Sequence, residues 1–516
     1  MLSKVLSGAT YGVSAYVVEV ETHLERALPA FAIVGLPDSA VRESRGRIAA
    51  AIRNSGYAFP PRKFTVNLAP ADIRKEGSAF DLPMAVGILA ASSQIPVQHL
   101  GGFAIIGELA LDGTLRPVHG ILPIALELRS RKIPGLILPA ENGREAAMVL
   151  GIDVYPLASL REVVTLLIGS GPRRAPLSIQ QADLASPESP GAADFAEVKG
   201  QESVKRALEV AAAGSHNIIM IGPPGSGKTM LAKRVPGILP PMTFDEALET
   251  TKIHSVAGIL PPGEALVCRR PFRSPHHTIS DAALVGGGAA PRAGEISLAH
   301  NGVLFLDELP EFARNVLEVL RQPLEEGRVT INRSRGSVVF PASFMLVCAM
   351  NPCPCGYFTD PARECTCQGG DIQRYLSRIS GPLMDRIDLH IEVAAVKYNE
   401  LSSREPGETS SRIRARVTEA RGRQSARFRD QKGLYANAGM QTGDIRRYCR
   451  LDERGEELLR TAITRIGLSA RAYDRILKVG RTIADLATSD AIRPEHIAEA
   501  IQYRGLDRNI LDDPRT

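Results

Sequence analysis

The 516-residue sequence predicts an α/β multidomain fold closed by an all-α block at its C-terminus. Two observations predict it. Short β-branched runs alternate with helical stretches through the first third and again through the middle. From about Tyr398 the pattern changes to Arg, Glu, Leu and Ala at helical spacing. A chain this long exceeds what one hydrophobic core supports, so several domains are expected.

The first block, residues 1–169, carries the runs AYVVEVE, FAIVGLP, FTVNLAP, FAIIGEL and GLILPA, interleaved with helical stretches such as SAVRESRGRIAAAIRNSG. Residues 170–194 are rich in Pro, Ser, Ala and Gly without apolar period and read as a linker. Residues 195–396 hold nucleotide motifs, and 397–516 form the helical block.

Composition narrows the class. A net charge of +5 permits nucleic-acid binding without demanding it. Four of the seven cysteines stand in one cluster, which argues against a secreted disulfide framework. MLSKVLSGATYGVSAY is broken by Ser and Gly where a signal peptide needs a long apolar core. LPMAVGILAA, the longest apolar stretch, falls short of the roughly 20 residues a membrane helix needs. We expect a cytoplasmic protein without a membrane partner.

HNIIMIGPPGSGKTMLAKRV is the strongest signal. Ile218 to Ile221 predict a strand, Gly222, Pro223, Pro224, Gly225, Ser226, Gly227, Lys228 and Thr229 a phosphate-binding loop, and the next residues a helix. The glycines let backbone N–H groups face a phosphate, and the helix N-terminus adds its positive dipole end. Lys228 is expected on the β- and γ-phosphates of ATP, and Thr229 on Mg²⁺. In NGVLFLDEL, a strand over Val303 to Leu306 ends in Asp307, a carboxylate for the metal, and Glu308, one to polarise water. An acidic pair after a strand is common and gains force only beside the loop. A third strand, SFMLVCAMNP, ends at Asn351, which can orient the lytic water or sense the γ-phosphate; the alternative is a turn residue before Pro352.

Strand–loop, strand–DE, strand–N and then GPLMDRIDLHIEV resemble the AAA+ ATPases, in the branch of magnesium-chelatase subunits and MCM helicases. The resemblance implies that Arg386 is a finger offered to a neighbouring subunit's nucleotide. It also implies that Arg471, in LSARAYDRILKVGRTIADL, is a lid sensor. Together they imply a ring; the plainer alternative for each is a surface salt bridge. With YGVSAYVVEVE, RPFRSPHHTIS and GEISLAHNGVLFLDELPEF added, essentially residues 1 to 510 are similar to the magnesium-chelatase-like YifB/ComM family. That resemblance implies a homo-hexameric DNA helicase promoting branch migration in natural transformation.

The first block resembles the Lon-protease (ribosomal S5-like) fold through VNLAPADIRKEGSAFDLPMAVGILAASS and GELALDGTLRPVHGILPIALE. Catalysis there needs a Ser activated by a Lys. The register puts Ala79 at the Ser and Leu122 at the Lys, with Ser78 one residue away, so a non-proteolytic domain is expected.

Cys353, Cys355, Cys365 and Cys367 form two CxC pairs in an insertion, 353–367, that can wrap a tetrahedral Zn²⁺. A redox-sensitive thiol group or unconnected cysteines remain alternatives. GRVTINRSRGSVVFPAS reads as a hairpin with Arg333 and Arg335 near its tip, where charge can track a single-stranded or branched DNA backbone; a solvated basic turn is the alternative. His276 and His277 read as structural or substrate-facing. Two function classes stand: a DNA motor, and a chelatase-type or remodelling ATPase acting on a partner enzyme.

Overall fold

The structure is a computed structural model. It describes residues 1–171, 174–178, 193–261, 263–288, 291–333, 336–358, 360, 363–396, 407–431, 433–466 and 470–505. Two compact units emerge: Met1–Ser186 with Phe244–Cys268, and Pro187–Thr243 with Arg269–Thr516.

The first unit is built on a seven-stranded mixed sheet. Its strands are β1 (Leu2–Tyr11), β2 (Ser14–Glu25), β3 (Ala30–Val34), β4 (Lys63–Ala69), β5 (Phe103–Ile105), β6 (Gly135–Pro139) and β7 (Asp153–Leu157), in the order β3-β4-β2-β1-β5-β6-β7. β1 runs antiparallel to β2 and β2 to β4, and the remaining pairs are parallel. The helix Asp81–Ala91 is buried along its whole length. Gly87 lets it lie close to the sheet, since a Cβ there would stand 2.6 Å from Thr22 Oγ1. The helix Ser39–Asn54 starts at Asp38, whose carboxylate accepts from Val41 N at 2.8 Å.

The segment Phe244–Cys268, expected inside the 195–396 core, belongs instead to this first unit. Its helix Phe244–Ala257 buries Thr250, Thr251 and Ile253. Ser255 Oγ donates to the buried Glu145 at 2.5 Å, and Gly120 N donates to Ser255 O at 3.1 Å. Burial raises the Glu145 pKa, opposed by hydrogen bonds from Ser255, Leu122 N and Asn142. The two Ser255 contacts span more than a hundred residues of chain, which a local reading does not reach.

The second unit holds a five-stranded, all-parallel sheet. Its strands are β8 (Ile218–Ile221), β9 (Phe272–Arg273), β10 (Val303–Leu306), β13 (Met345–Met350) and β14 (Leu389–Glu392), in the order β9-β10-β13-β8-β14. β8, β10 and β13 are wholly buried, as parallel strands covered on both faces should be. Between β10 and β13, β11 (Arg328–Arg333) and β12 (Gly336–Pro341) pair as the expected antiparallel hairpin. A smaller one pairs Gly286–Gly287 with Arg292–Ala293.

From Ser410 the chain is helical: Ser410–Arg427, Thr442–Tyr448, Glu453–Ile466, Ala470–Leu486 and Pro494–Gln502. The buried Asp388 ties this block to the sheet. It accepts from Asn217 N at 3.2 Å, contacts His216 Nδ1 at 3.2 Å and pairs with Arg475 on the helix Ala470–Leu486. Burial alone would raise its pKa, but Arg475 and His216 hold the carboxyl well below the usual range.

Candidate functional site

In an open parallel sheet, ligands bind beyond the carboxyl ends of the strands, where the strand order reverses. Here the reversal lies at β8, flanked by β13 and β14, and the loop Gly222–Thr229 leaves its end. Gly222 is required by proximity, since a Cβ there would meet the Val393 carbonyl oxygen at 2.1 Å. Gly225 and Gly227 turn at φ +78° and +89°, backbone that side chains rarely adopt. Gln201 Nε2 donates to Ser226 O at 2.7 Å and secures the loop from the preceding helix.

Lys228 is buried, and its Nζ donates to Gly222 O at 2.7 Å, Pro223 O at 2.9 Å and Asn351 Oδ1 at 3.2 Å. Burial holds its pKa below the ordinary lysine value, opposed by the Asp307 carboxylate. An ammonium desolvated among loop carbonyls fits an anionic phosphate, which would favour its charged form. Thr229 Oγ1 donates to Asp307 Oδ2 at 2.6 Å, so the hydroxyl and carboxylate that a hard divalent cation needs already adjoin. The strand ends thus bring together Lys228, Thr229, Asp307 and Asn351.

Glu308 follows in the left-handed region at φ +53°, a conformation that costs a residue with a side chain. Its carboxylate is more than half exposed, and Oε2 lies 3.4 Å from His277 Nδ1. His277 stands edge-on to Phe312 and beside His276. This His277–Glu308 contact was missed in the sequence. The available signal was RPFRSPHHTIS itself: it carries β9, the strand neighbouring β10, so its histidines emerge beside the DE pair.

The two arginines lie apart from this cluster's hydrogen bonds. Arg386 is turned into its own chain, 7% exposed, with Nη1 donating to Pro382 O at 2.5 Å and Nη2 paired with Glu325. Arg471, near the start of the helix Ala470–Leu486, is largely exposed and lies 3.7 Å from Asp385. Arg333 ends β11 opposite Gly336. Arg335 lies outside the described residues.

The four clustered cysteines converge. Their sulfurs all lie within 4.8 Å of one another, with Cys353 Sγ 3.3 Å from Cys355 Sγ and 3.7 Å from Cys365 Sγ. A tetrahedral zinc with bonds of about 2.3 Å sets its sulfurs about 3.8 Å apart, so the donor set fits zinc. Backbone N–H groups of Phe358 and Cys355 donate to the Cys353 and Cys367 sulfurs, each at 3.3 Å, as N–H donors around metal-bound thiolates do.

In the first unit, Ser78 Oγ donates to Glu108 and lies next to Ala79, while Leu122 is fully buried on the helix Ile121–Ser130. Lys75, the nearby buried lysine, donates its Nζ to Ile73 O at 2.7 Å.

Three matches cover most of the chain: residues 194–401 to magnesium chelatase, subunit ChlI; residues 20–142 to subunit ChlI of Mg-chelatase; and residues 407–504 to the ChlI C-terminal part. The competence protein ComM of Haemophilus influenzae is 45% identical over 513 residues, covering 98% of each chain. YifB of Salmonella typhimurium is 44% identical over 512 residues, 99% of this chain and 98% of that one. The chain belongs to the magnesium-chelatase-like YifB/ComM family. A shorter likeness, 30% over 104 residues, is to Lon protease 2 of Bacillus subtilis, covering 20% of this chain and 18% of that one. YifB/ComM membership carries the AAA+ ATPase architecture, with which the mixed α/β units and helical C-terminal block agree. Among the described residues, no helix is long and apolar enough to cross a membrane.

Proposed function

We propose that this YifB/ComM chain is a homo-hexameric DNA motor that hydrolyses ATP to drive branch migration of recombination intermediates taken up in transformation. The observation that carries it is the cluster at the switch of the parallel sheet, where Lys228, Thr229, Asp307 and Asn351 are joined by hydrogen bonds. ATP with Mg²⁺ supplies the cleavable phosphoryl group and the charge that links it to the protein. Lys228 would exchange its carbonyl partners for phosphate oxygens, and Thr229 and Asp307 would hold the cation. Asn351 would orient a water that Glu308 polarises once freed from His277. Arg471 would act from the helical lid, and Arg386 from the neighbouring subunit.

DNA enters this reading through ComM, which is named a competence protein, and through the hairpin of β11 and β12, where β11 ends at Arg333 and the sequence has Arg335 two residues on. The first unit is then a Lon-like domain without the catalytic pair, since the resemblance puts Leu122 where a lysine would be needed. The matches to magnesium-chelatase subunits favour the second reading, a motor acting on a partner enzyme.

ATPase measured without DNA and with single-stranded, duplex and four-way-junction DNA separates the two. The DNA motor is stimulated, most by the junction. With Arg333→Ala and Arg335→Ala together, DNA binding weakens, and each lost phosphate contact lowers the log–log salt slope by roughly 0.7–0.9. ATPase indifferent to every DNA would leave the partner-enzyme reading.

Purified protein is also expected to carry about one zinc per chain, held by Cys353, Cys355, Cys365 and Cys367. Metal analysis of Cys353→Ser with Cys365→Ser should show it lost. Metal-free protein never exposed to chelator would sink the assignment.

A further inference from the structure

The cysteine loop begins two residues after Asn351, whose amide oxygen receives Lys228 Nζ, so one short segment adjoins both the sulfur cluster and the phosphate loop. A second contact joins them. Gly356, buried between Cys355 and Tyr357, lies against Pro224: a Cβ placed on it would stand 2.5 Å from Pro224 Cδ and 2.7 Å from Cγ. Real Cβ atoms do not approach carbon so closely, so a side chain at 356 would have to shift the Pro224 ring.

Gly356 is itself fixed by the cluster. Its N–H donates to Cys353 O at 3.0 Å, and its φ of +88° makes the turn that returns the chain toward Cys353. Phe358 N, two residues on, donates to Cys353 Sγ, while Cys355 N donates to Cys367 Sγ. The sulfurs thus hold Gly356 from both sides. Across the phosphate loop, the Val393 carbonyl meets Gly222. Pro224 and Gly222 are thus two points at which other segments come close to the loop. The loop has few apolar residues of its own, so the state of the four sulfurs decides whether the Gly356 brace exists.

We infer that the cysteine loop is a positioning element for the phosphate loop: through Gly356 it sets where Pro224 stands, so ATP affinity depends on the state of the cysteine cluster. This rests on reading Gly222–Thr229 as an ATP site and adds a control on it by metal or thiol state. Loss of metal would withdraw the brace and weaken nucleotide binding without removing any group that touches ATP.

The test is a double-mutant cycle on the full chain, read as the dissociation constant of a fluorescent ATP analogue. Gly356→Ala is expected to weaken binding roughly tenfold, since the methyl must displace the proline ring. Pro224→Ala removes Cγ and Cδ, the two atoms in the way. If the effect passes through that contact, the double variant binds several-fold tighter than the product of the two single losses predicts. The backbone strain of alanine at φ +88° is common to both Gly356→Ala proteins and cancels from the coupling. In a parallel arm, Cys365→Ser with Cys367→Ser, metal content measured alongside, should raise KM for ATP more than it lowers kcat. Losses that multiply independently, or a Gly356→Ala protein binding like the wild type, overturn the inference, whether or not the loop holds metal. A wild-type chain that fails to bind the analogue overturns instead the reading of the loop as an ATP site.

Discussion

Glu308→Gln is expected to bind ATP as the wild type does and to hydrolyse almost none, whereas Lys228→Ala is expected to lose binding itself. The geometry separates the two roles. Lys228 Nζ sits within 2.7–3.2 Å of Gly222 O, Pro223 O and Asn351 Oδ1, inside the loop that would take the phosphates. Removing it deletes the one positive side chain in that hydrogen-bonded cluster and leaves three oxygens facing an anion. The Glu308 carboxylate takes no part in the cluster: it is exposed and its partner is His277. Asp307 and Thr229, bonded at 2.6 Å, remain to hold Mg²⁺ when Glu308 is made neutral. Loss of a general base typically lowers turnover by about 10²–10⁴-fold. Equilibrium binding of a fluorescent ATP analogue, with single-turnover hydrolysis, reads both steps. Glu308→Gln with near-normal turnover would move the water-polarising role to another group.

The nucleotide strands were legible because a parallel strand covered on both faces is a plain apolar run. Ile218–Ile221 and Val303–Leu306 are uniformly buried and appear where the sequence places them. β1 was not legible for the opposite reason. Its inward positions include Ser3 and Ser7, so the alternation of a half-buried strand is broken. Ser3 is tolerated there because its hydroxyl donates to Gly87 O at 2.7 Å, a partner 84 residues away. The same limit hid the membership of Phe244–Cys268 in the first unit, which depends on Ser255 meeting Glu145. At the site, the loop and the DE pair declare themselves by residue type and spacing. The His277 contact and the Gly356 brace do not, since each joins segments whose separation no motif records.

Arg386→Ala is expected to bind ATP and to lose hydrolysis by on the order of 10³-fold, the loss that follows removal of an arginine finger. In the single chain this guanidinium is turned inward onto Glu325 and Pro382 O. Its Nε is buried with no hydrogen-bond partner among the described residues, so the inward position leaves a donor unsatisfied. Glu325, more than half exposed, is readily solvated once released, so a neighbouring nucleotide has little to compete against. For the same reason, a purely structural Arg386 would cost modest stability and leave turnover per folded chain nearly intact. Mixing decides between them. Arg386→Ala subunits keep an intact phosphate loop, and Lys228→Ala subunits keep an intact finger. In a mixed ring some interfaces pair one with the other, and partial ATPase returns although each parent is inactive. A mixture that stays inactive while labelled subunits demonstrably exchange would show that Arg386 serves its own chain.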